Sequence, residues 1–192
     1  MPKGRESDMP DETSWESFFD ARCALPRFGC SALTQHVVEF GCGYGTFTIP
    51  AAKIVSGTVF AFDIDPEMIA ATRQRANCEG LCNVVAEVRD FMSHGTGIAS
   101  QTADFVMLFN ILHIEHPLEL LMEAKRILRT GGCVGIMHWR SDIDTPRGPS
   151  LSIRPTFELC RQWGEQAGLT FDRQIPLDCC PWHWGFAMKR HE

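Results

Sequence analysis

Short runs of β-branched and aromatic residues recur along the chain, separated by amphipathic stretches. HVVEF (36–40), TVFAFD (58–63), NVVAEV (83–88), ADFVMLF (103–109) and CVGIMHW (133–139) carry apolar side chains on both faces. That is the pattern of parallel strands covered by helices on either side. The stretches between them have readable helix ends. Asp65-Pro66-Glu67 supplies a capping carboxylate, a proline where its missing N–H costs nothing, and an acid in the first turn. The helix it opens runs through MIAATRQRANCE to Gly80. His116-Pro117 opens a second, with Leu118, Leu121, Ala124, Ile127 and Leu128 along one side and Thr130-Gly131-Gly132 as its stop. Arg154-Pro155 opens a third, which Gly168 ends. Strands and helices alternating over such short connections predict an α/β protein with a doubly wound, mostly parallel sheet.

The two ends depart from this rhythm. LTFDRQI (169–175) and WGFAMKR (184–190) are strands with no helix between them, and a loop of about nine residues is too short for a parallel crossover. An antiparallel hairpin is therefore expected at the C-terminal end of the sheet, bringing it to seven strands. Residues 1–35 precede the first strand and contain SWESFFDA, a short helix with Trp15, Phe18 and Phe19. This N-terminal arm either packs on the sheet or forms a lid over a ligand pocket, and residues 36–192 form the binding domain.

Composition narrows the function. The 192 residues fit one domain, and 44% hydrophobic with 22% charged is ordinary for a globule. A net charge of −6 argues against nucleic acid as a partner, since that grip needs a basic face. No run of about 18 apolar residues exists to span a membrane. MPKGRESDMPDETSW lacks the apolar stretch of a secretory signal, so a cytoplasmic location is expected. Nine cysteines, an odd number scattered along the chain, read as reduced thiols packed like small hydrophobes. Cys179 and Cys180 with His183 lack the second ligand pair of a zinc site, and no metal is expected.

The most informative stretch is Glu39-Phe40-Gly41-Cys42-Gly43-Tyr44-Gly45-Thr46, which follows a strand and opens a helix. Glycines there let backbone N–H groups approach a ligand. A pyrophosphate-binding loop would place glycine or alanine where Thr46 stands, and the acid Glu39 would repel the phosphates. An NAD-dependent oxidoreductase is thereby disfavoured. Asp63 ends the next strand, 18 residues after Gly45, where a carboxylate accepts from two ribose hydroxyls.

VVEFGCGYGTFTIPAA, VFAFDIDPEMIAATRQRA, VRDF, ADFVMLFNILHIEHP and LLMEAKRILRTGGCVGI, in that order, resemble the class I S-adenosylmethionine-dependent methyltransferases. The similarity is to the small-molecule and ubiquinone/menaquinone-biosynthesis type, and it runs from about residue 37 to residue 138. It implies a Rossmann-like fold and S-adenosyl-L-methionine as cofactor. On the matching positions it implies that Glu39 orders the loop and receives the methionine end, and that Gly41, Cys42, Gly43, Tyr44 and Gly45 line the approach. Asp63 would hold the ribose with Ile64 against the adenine. Asp90 would accept from the adenine amine with Phe91 beside it, and Asn110 would face the transferable methyl.

Candidate bases for the acceptor are His113, Glu115 and His116 after the fourth strand and His138 at the end of the fifth, with His113 the first choice. The Asn110-Ile111-Leu112-His113 segment replaces the Asn-Pro-Pro-Tyr type of block that marks methylases of nucleic-acid bases and glutamine amides. A small-molecule acceptor is expected. The rival with the same cofactor residues is an S-adenosylmethionine-binding partner protein without turnover. Arg140, Arg147 and Arg154 crowd a polar insertion (138–155) in a chain of 14 arginines and four lysines, placed to border the acceptor pocket or only to pin a solvated loop. Trp182, His183 and Trp184 likewise line the pocket or pack the final hairpin.

Overall fold

The computed structural model describes residues 10–191. The first nine residues of the expected arm, which are also the start of the stretch read for a signal, lie outside them. Seven strands form one sheet: β1 (His36–Phe40), β2 (Thr58–Asp63), β3 (Val84–Val88), β4 (Ala103–Phe109), β5 (Leu128–Trp139), β6 (Thr170–Ile175) and β7 (His183–Lys189). Their order is β3-β2-β1-β4-β5-β7-β6. Pairing is parallel from β3 through β5, and β7 runs antiparallel to both β5 and β6. The expected doubly wound, Rossmann-like sheet with its terminal hairpin is what the chain forms. No helix among the described residues is long and apolar enough to cross a membrane.

Alternation along the strands divides the core in two. Val37, Val59, Phe105, Met107 and Phe109 face α2 (Ala21–Phe28) and α3 (Thr48–Ile54). Their neighbours Val38, Phe62, Val106 and Leu108 face α6 (Pro117–Ile127) and α7 (Phe157–Gln166). A strand buried on both faces needs apolar residues on both, which is why β4 reads FVMLF from Phe105 onward without a break, while Asp104 near its start is half-buried and accepts from the N–H groups of Gln35 and His36. The remaining helices are α1 (Glu12–Glu16), α4 (Pro66–Cys78) and the single turn α5 (Phe91–His94). Pro50 falls in the first turn of α3, where its ring is tolerated.

Several boundaries differ from expectation. Helix α6 ends at Ile127, and Thr130-Gly131-Gly132 is strand, not helix stop. Gly131 donates to the carbonyl of Arg190 and Arg190 to that of Gly132, so the ladder with the tail extends β5 backwards by five residues. Helix α7 begins at Phe157 under a Thr156 cap, because Arg154 is drawn into the interior of the preceding loop. The SWESFFDA helix stops at Glu16, which leaves Phe18 and Phe19 in a turn. A second helix, α2, follows, hidden from the sequence reading by Pro26 inside it. It is core, with Ala24, Leu25 and Phe28 fully buried, whereas α1 lies farther out.

The cysteines also differ. Cys23 on α2 and Cys179 in the β6–β7 connection form a disulfide, although 156 residues separate them. Arg27 fastens the same contact by donating to the carbonyl of Pro176 at 2.6 Å. An odd count excludes only complete pairing, and packing of α2 over the hairpin brings this one pair together. The other seven are free, with Cys30, Cys42, Cys160 and Cys180 buried. Closing so long a loop restricts the unfolded chain, which stabilises the fold by about 2–5 kcal/mol. Dithiothreitol is therefore expected to lower the melting midpoint by roughly 5–15 °C, and Cys23→Ser to melt at the lower temperature with or without reductant. Equal midpoints with and without reductant would contradict the link.

Candidate active site

The carboxyl ends of the parallel strands open into a cavity of about 570 Å³. Its floor begins with Glu39, the fourth residue of β1, which lies between Ala61 of β2 and Met107 of β4. Only 3% of Glu39 is exposed, and its carboxylate accepts from the Thr48 hydroxyl. Burial pushes its pKa up to about 8; the Thr48 hydrogen bond opposes the rise and the charge of Asp63 adds to it.

The glycine loop turns on backbone contacts to β2. The N–H groups of Gly41 and Cys42 both donate to the carbonyl of Phe62, at 2.8 and 3.0 Å. Gly41 has φ +71°, and a Cβ there would stand 2.8 Å from Ile111 Cδ1, so this position suits only glycine. Asp63 then clasps the loop, one oxygen accepting from Gly43 N–H at 2.9 Å and the other from Asp65 N–H at 3.0 Å. Burial raises its pKa, against those two hydrogen bonds. Two of the roughly four lone-pair positions on a carboxylate are thus used, and the rest remain for a ligand.

Asp90, after β3, caps α5 by accepting from the backbone and hydroxyl of Ser93, which lowers its pKa. It lines the cavity with Ile64 and Phe91. Asn110 follows β4 in the left-handed region, at φ +56°, and its N–H donates to Met137 across the sheet at 2.7 Å. An L-residue with a side chain adopts that conformation at a cost. Its amide nitrogen and oxygen are both buried without a partner among the described residues.

The histidines separate. His113 is on the cavity wall, and its Nδ1 lies 3.3 Å from Nε2 of His138. His138 is not on the wall, which corrects the expectation that it faces the ligand. It is fully buried behind His113, 26° from parallel with the Trp184 ring. Burial first, then repulsion from His113, holds its pKa well below the usual range and keeps it neutral. With its Nδ1 3.4 Å from the Trp139 carbonyl, Nε2 is left as the acceptor for His113 Nδ1–H. His116 and Glu115 are exposed at the cavity rim.

Tyr44 and Gly45 also miss the wall. The Tyr44 hydroxyl donates to the Pro10 carbonyl at 2.8 Å, which holds the start of α1, and Gly45 packs against Thr72 of α4. Arg75 of α4 pairs with Glu12 and Glu16 of α1, and α1 in turn carries Trp15 onto the cavity wall. Sequence reasoning had not placed Thr46, Phe47, Met68, Arg89 or Trp139 there. Arg89 is held by its Nε to the Gly95 carbonyl at 2.7 Å, a contact across a short loop that no spacing signals. Trp139 is the last residue of β5, so the strand-end rule that selected Asp63 and Asn110 would also have found it. Of the insertion's arginines, only Arg147 reaches the cavity. His183 and Trp184 pack the hairpin instead, against Trp139 and Phe186. Among the described residues no cluster of three metal-binding side chains exists.

Acids converging on the carboxyl ends of β1, β2 and β3 of a doubly wound sheet, beside a glycine loop that keeps an acid, define an α/β domain for a cationic, nucleoside-bearing cofactor. A family of methyltransferase domains matches residues 37–132, and the chain belongs to the class I S-adenosylmethionine-dependent methyltransferases. It is 32% identical to the ribosomal protein L11 methyltransferase of Photobacterium profundum over 147 residues, covering 72% of this chain and 48% of that one. It is 29% identical to the demethylmenaquinone methyltransferase of Protochlamydia amoebophila over 132 residues, 64% and 51% of the two. A solved S-adenosylmethionine-dependent methyltransferase from Aquifex aeolicus superposes with a TM-score of 0.80 at 24% identity, covering 93% of each chain. The aligned region spans about half the length of the curated relatives.

The residues present fit the family's cofactor. The cavity volume is in the usual range for a small-molecule site. Glu39, Asp63, Asp65 and Asp90 on its wall suit a ligand with an ammonium, a sulfonium and ribose hydroxyls. The buried amide of Asn110 offers a donor and an acceptor.

Proposed function

We propose that the protein transfers a methyl group from S-adenosylmethionine to a small-molecule acceptor. The observation that carries this reading is a single cavity that joins the acidic, glycine-loop side to an aromatic recess with His113 on its wall. When bound, the cofactor supplies an electrophilic methyl that needs only a nucleophile brought into line behind it. Asp63 holds the ribose, Asp90 the adenine side, Glu39 the methionine end, and the Asn110 amide orients the same portion. His113 Nε2 takes the proton from the acceptor, and His138 positions it by fixing the Nδ1–H tautomer. The recess is walled by Trp15 from the arm and by Arg147, Gly148 and Pro149 from the insertion, which favours a small acceptor over a protein surface.

The test is a fractionated cell extract incubated with the protein and methyl-labelled cofactor. Label is expected in molecules below about 3 kDa, a cut-off of the order of the largest acceptors such a recess holds. Label confined to protein, as the name of the ribosomal relative describes for that enzyme, would contradict the acceptor class. With the acceptor in hand, His113→Ala is expected to lower kcat about 10²–10⁴-fold. Its dissociation constant for S-adenosylhomocysteine, read by calorimetry, is expected to stay within about twofold, well under the tenfold that 1.4 kcal/mol represents. An unchanged kcat would remove His113 from the chemistry.

A further inference from the structure

The short helix α1 and the turn after it make two kinds of contact around the cavity. One kind is aromatic. Trp15 lines the cavity with its ring centroid 6.4 Å from that of Trp139, and Phe18 and Phe19 lie against the same indole at 5.3 and 6.0 Å. Trp139 ends β5, and beneath this cover it is 1% exposed. The other kind is polar and reaches the glycine loop. The Tyr44 hydroxyl, from within that loop, donates to the Pro10 carbonyl at 2.8 Å. Arg75 of α4 pairs with Glu16 at 2.5 Å and with Glu12 at 3.2 Å. The same guanidinium nitrogen donates to the Tyr44 carbonyl at 3.0 Å. No residue of α1 is buried, and five residues are too few to hold a helix unaided. The place of α1 is therefore set by what it is tied to.

The polar tie leads back to residues assigned to the cofactor. Asp63 accepts from Gly43 N–H through one oxygen and, through the other, from the N–H of Asp65, the cap of α4. Helix α4 then returns to the loop at two successive carbonyls. The Thr72 hydroxyl donates to that of Gly43 at 2.9 Å, and Arg75 to that of Tyr44. Thr72 is fully buried, and a Cβ on Gly45 would stand 3.0 Å from its hydroxyl, so loop and helix meet without slack. The glycine loop, α4 and α1 are thus joined by hydrogen bonds and ion pairs, with Asp63 at one end and Trp15 at the other.

We infer that Tyr44 and Arg75 are positioning residues for the acceptor side of the cavity: they hold α1, and with it Trp15, in place once cofactor binding has stiffened the glycine loop. The inference rests on the methyl-transfer reading above, which makes the Trp15 recess the acceptor's. The recess is then complete only in the loaded protein. Coupling of this kind is reciprocal, so the docked arm favours the cofactor by the same factor as the cofactor favours docking.

The experiment is pulsed hydrogen exchange of the full chain, read by mass spectrometry, with and without saturating S-adenosylhomocysteine. The amides of Trp15, Ser17, Phe18 and Phe19 all donate within the arm and report its local opening. The ligand is expected to slow their exchange about fivefold or more, the lower end of coupling between sites. Tyr44→Phe keeps the ring and removes the hydroxyl; Glu12→Gln with Glu16→Gln removes the partners of Arg75 from the arm itself. Each variant is expected to lose most of the slowing. Their calorimetric affinities for S-adenosylhomocysteine should fall by no more than the factor by which exchange is slowed in the native chain. Arm exchange untouched by the ligand, or slowed equally in the native chain and either variant, would overturn the inference. So would a loss of affinity in Tyr44→Phe as large as that in Asp63→Ala, which would put Tyr44 in the cofactor site itself. Those results leave methyl transfer standing, whereas failure of S-adenosylhomocysteine to bind the native chain would count against the earlier reading.

Discussion

Asp63→Ala is expected to abolish the stabilisation that S-adenosylmethionine gives the native chain. At about 100 times its dissociation constant, a ligand adds roughly 2.7 kcal/mol, which raises the midpoint of a domain this size by about 5–10 °C. Asp63 acts on both sides of that balance. Its carboxylate holds Gly43 and Asp65 N–H in place, and its remaining lone pairs are those assigned to the ribose. Removing it loses charge-assisted bonds of about 1.5–3 kcal/mol each and loosens the loop that the cofactor rests on. The affinity should fall by two orders of magnitude or more. Asp63→Asn keeps one acceptor oxygen and should retain more of the unliganded stability, yet little of the binding. A full thermal shift in Asp63→Ala would remove this residue from the site.

Glu39→Gln should separate stability from binding. The Glu39 carboxyl has a pKa of about 8 in the fold and an ordinary value near 4.5 when unfolded. Between these values the folded state holds the extra proton, so stability falls as pH rises. The contribution is fully present below about pH 4.5 and is lost as pH climbs through 8. A shift of that size corresponds to roughly 3–5 kcal/mol. The glutamine variant, which has no charge to bury, should therefore outlast the parent in urea at pH 8–9 and match it near pH 5. His138 and His183 act at the other end. Burial lowers both, His183 to about 3, so their stabilisation is present above about pH 6.5 and is lost as pH falls toward their folded values. Ligand binding reads the same carboxyl differently. A cationic methionine end draws the proton off Glu39, so at pH 7 binding should release close to one proton, seen as a buffer-dependent heat. Glu39→Gln should bind weakly and release none. Equal urea midpoints of parent and variant at pH 9 would contradict the buried-proton account.

The sheet was legible because parallel strands buried on both faces leave a signal that local context cannot erase. HVVEF, TVFAFD and ADFVMLF are strands with the ends that their hydrophobicity implies. Strand ends in turn locate Asp63 and Asn110, since α/β sheets bind ligands at their carboxyl edges. What sequence did not convey depends on contacts remote in the chain. Helix α2 was missed because Pro26 breaks the local pattern and burial of Leu25 and Phe28 restores the helix. The Cys23–Cys179 bond follows from where α2 docks, not from any cysteine spacing. His138 lies at a strand end and so read as a ligand-facing residue. In a strand, alternate side chains face opposite sides of the sheet; here Trp139 lines the cavity and His138 stands behind His113. Arg147 was one of three arginines in the insertion. Only its place on the cavity wall singles it out.

The most direct test of the account is calorimetric titration of the full chain with S-adenosylhomocysteine, S-adenosylmethionine and NADH. One site is expected for each sulfur compound, at micromolar affinity or better, of about −8 kcal/mol, with release of protons near pH 7 and no heat from NADH. Binding of NADH with silence from both sulfur compounds would contradict it, and would leave the doubly wound fold with a different cofactor to find.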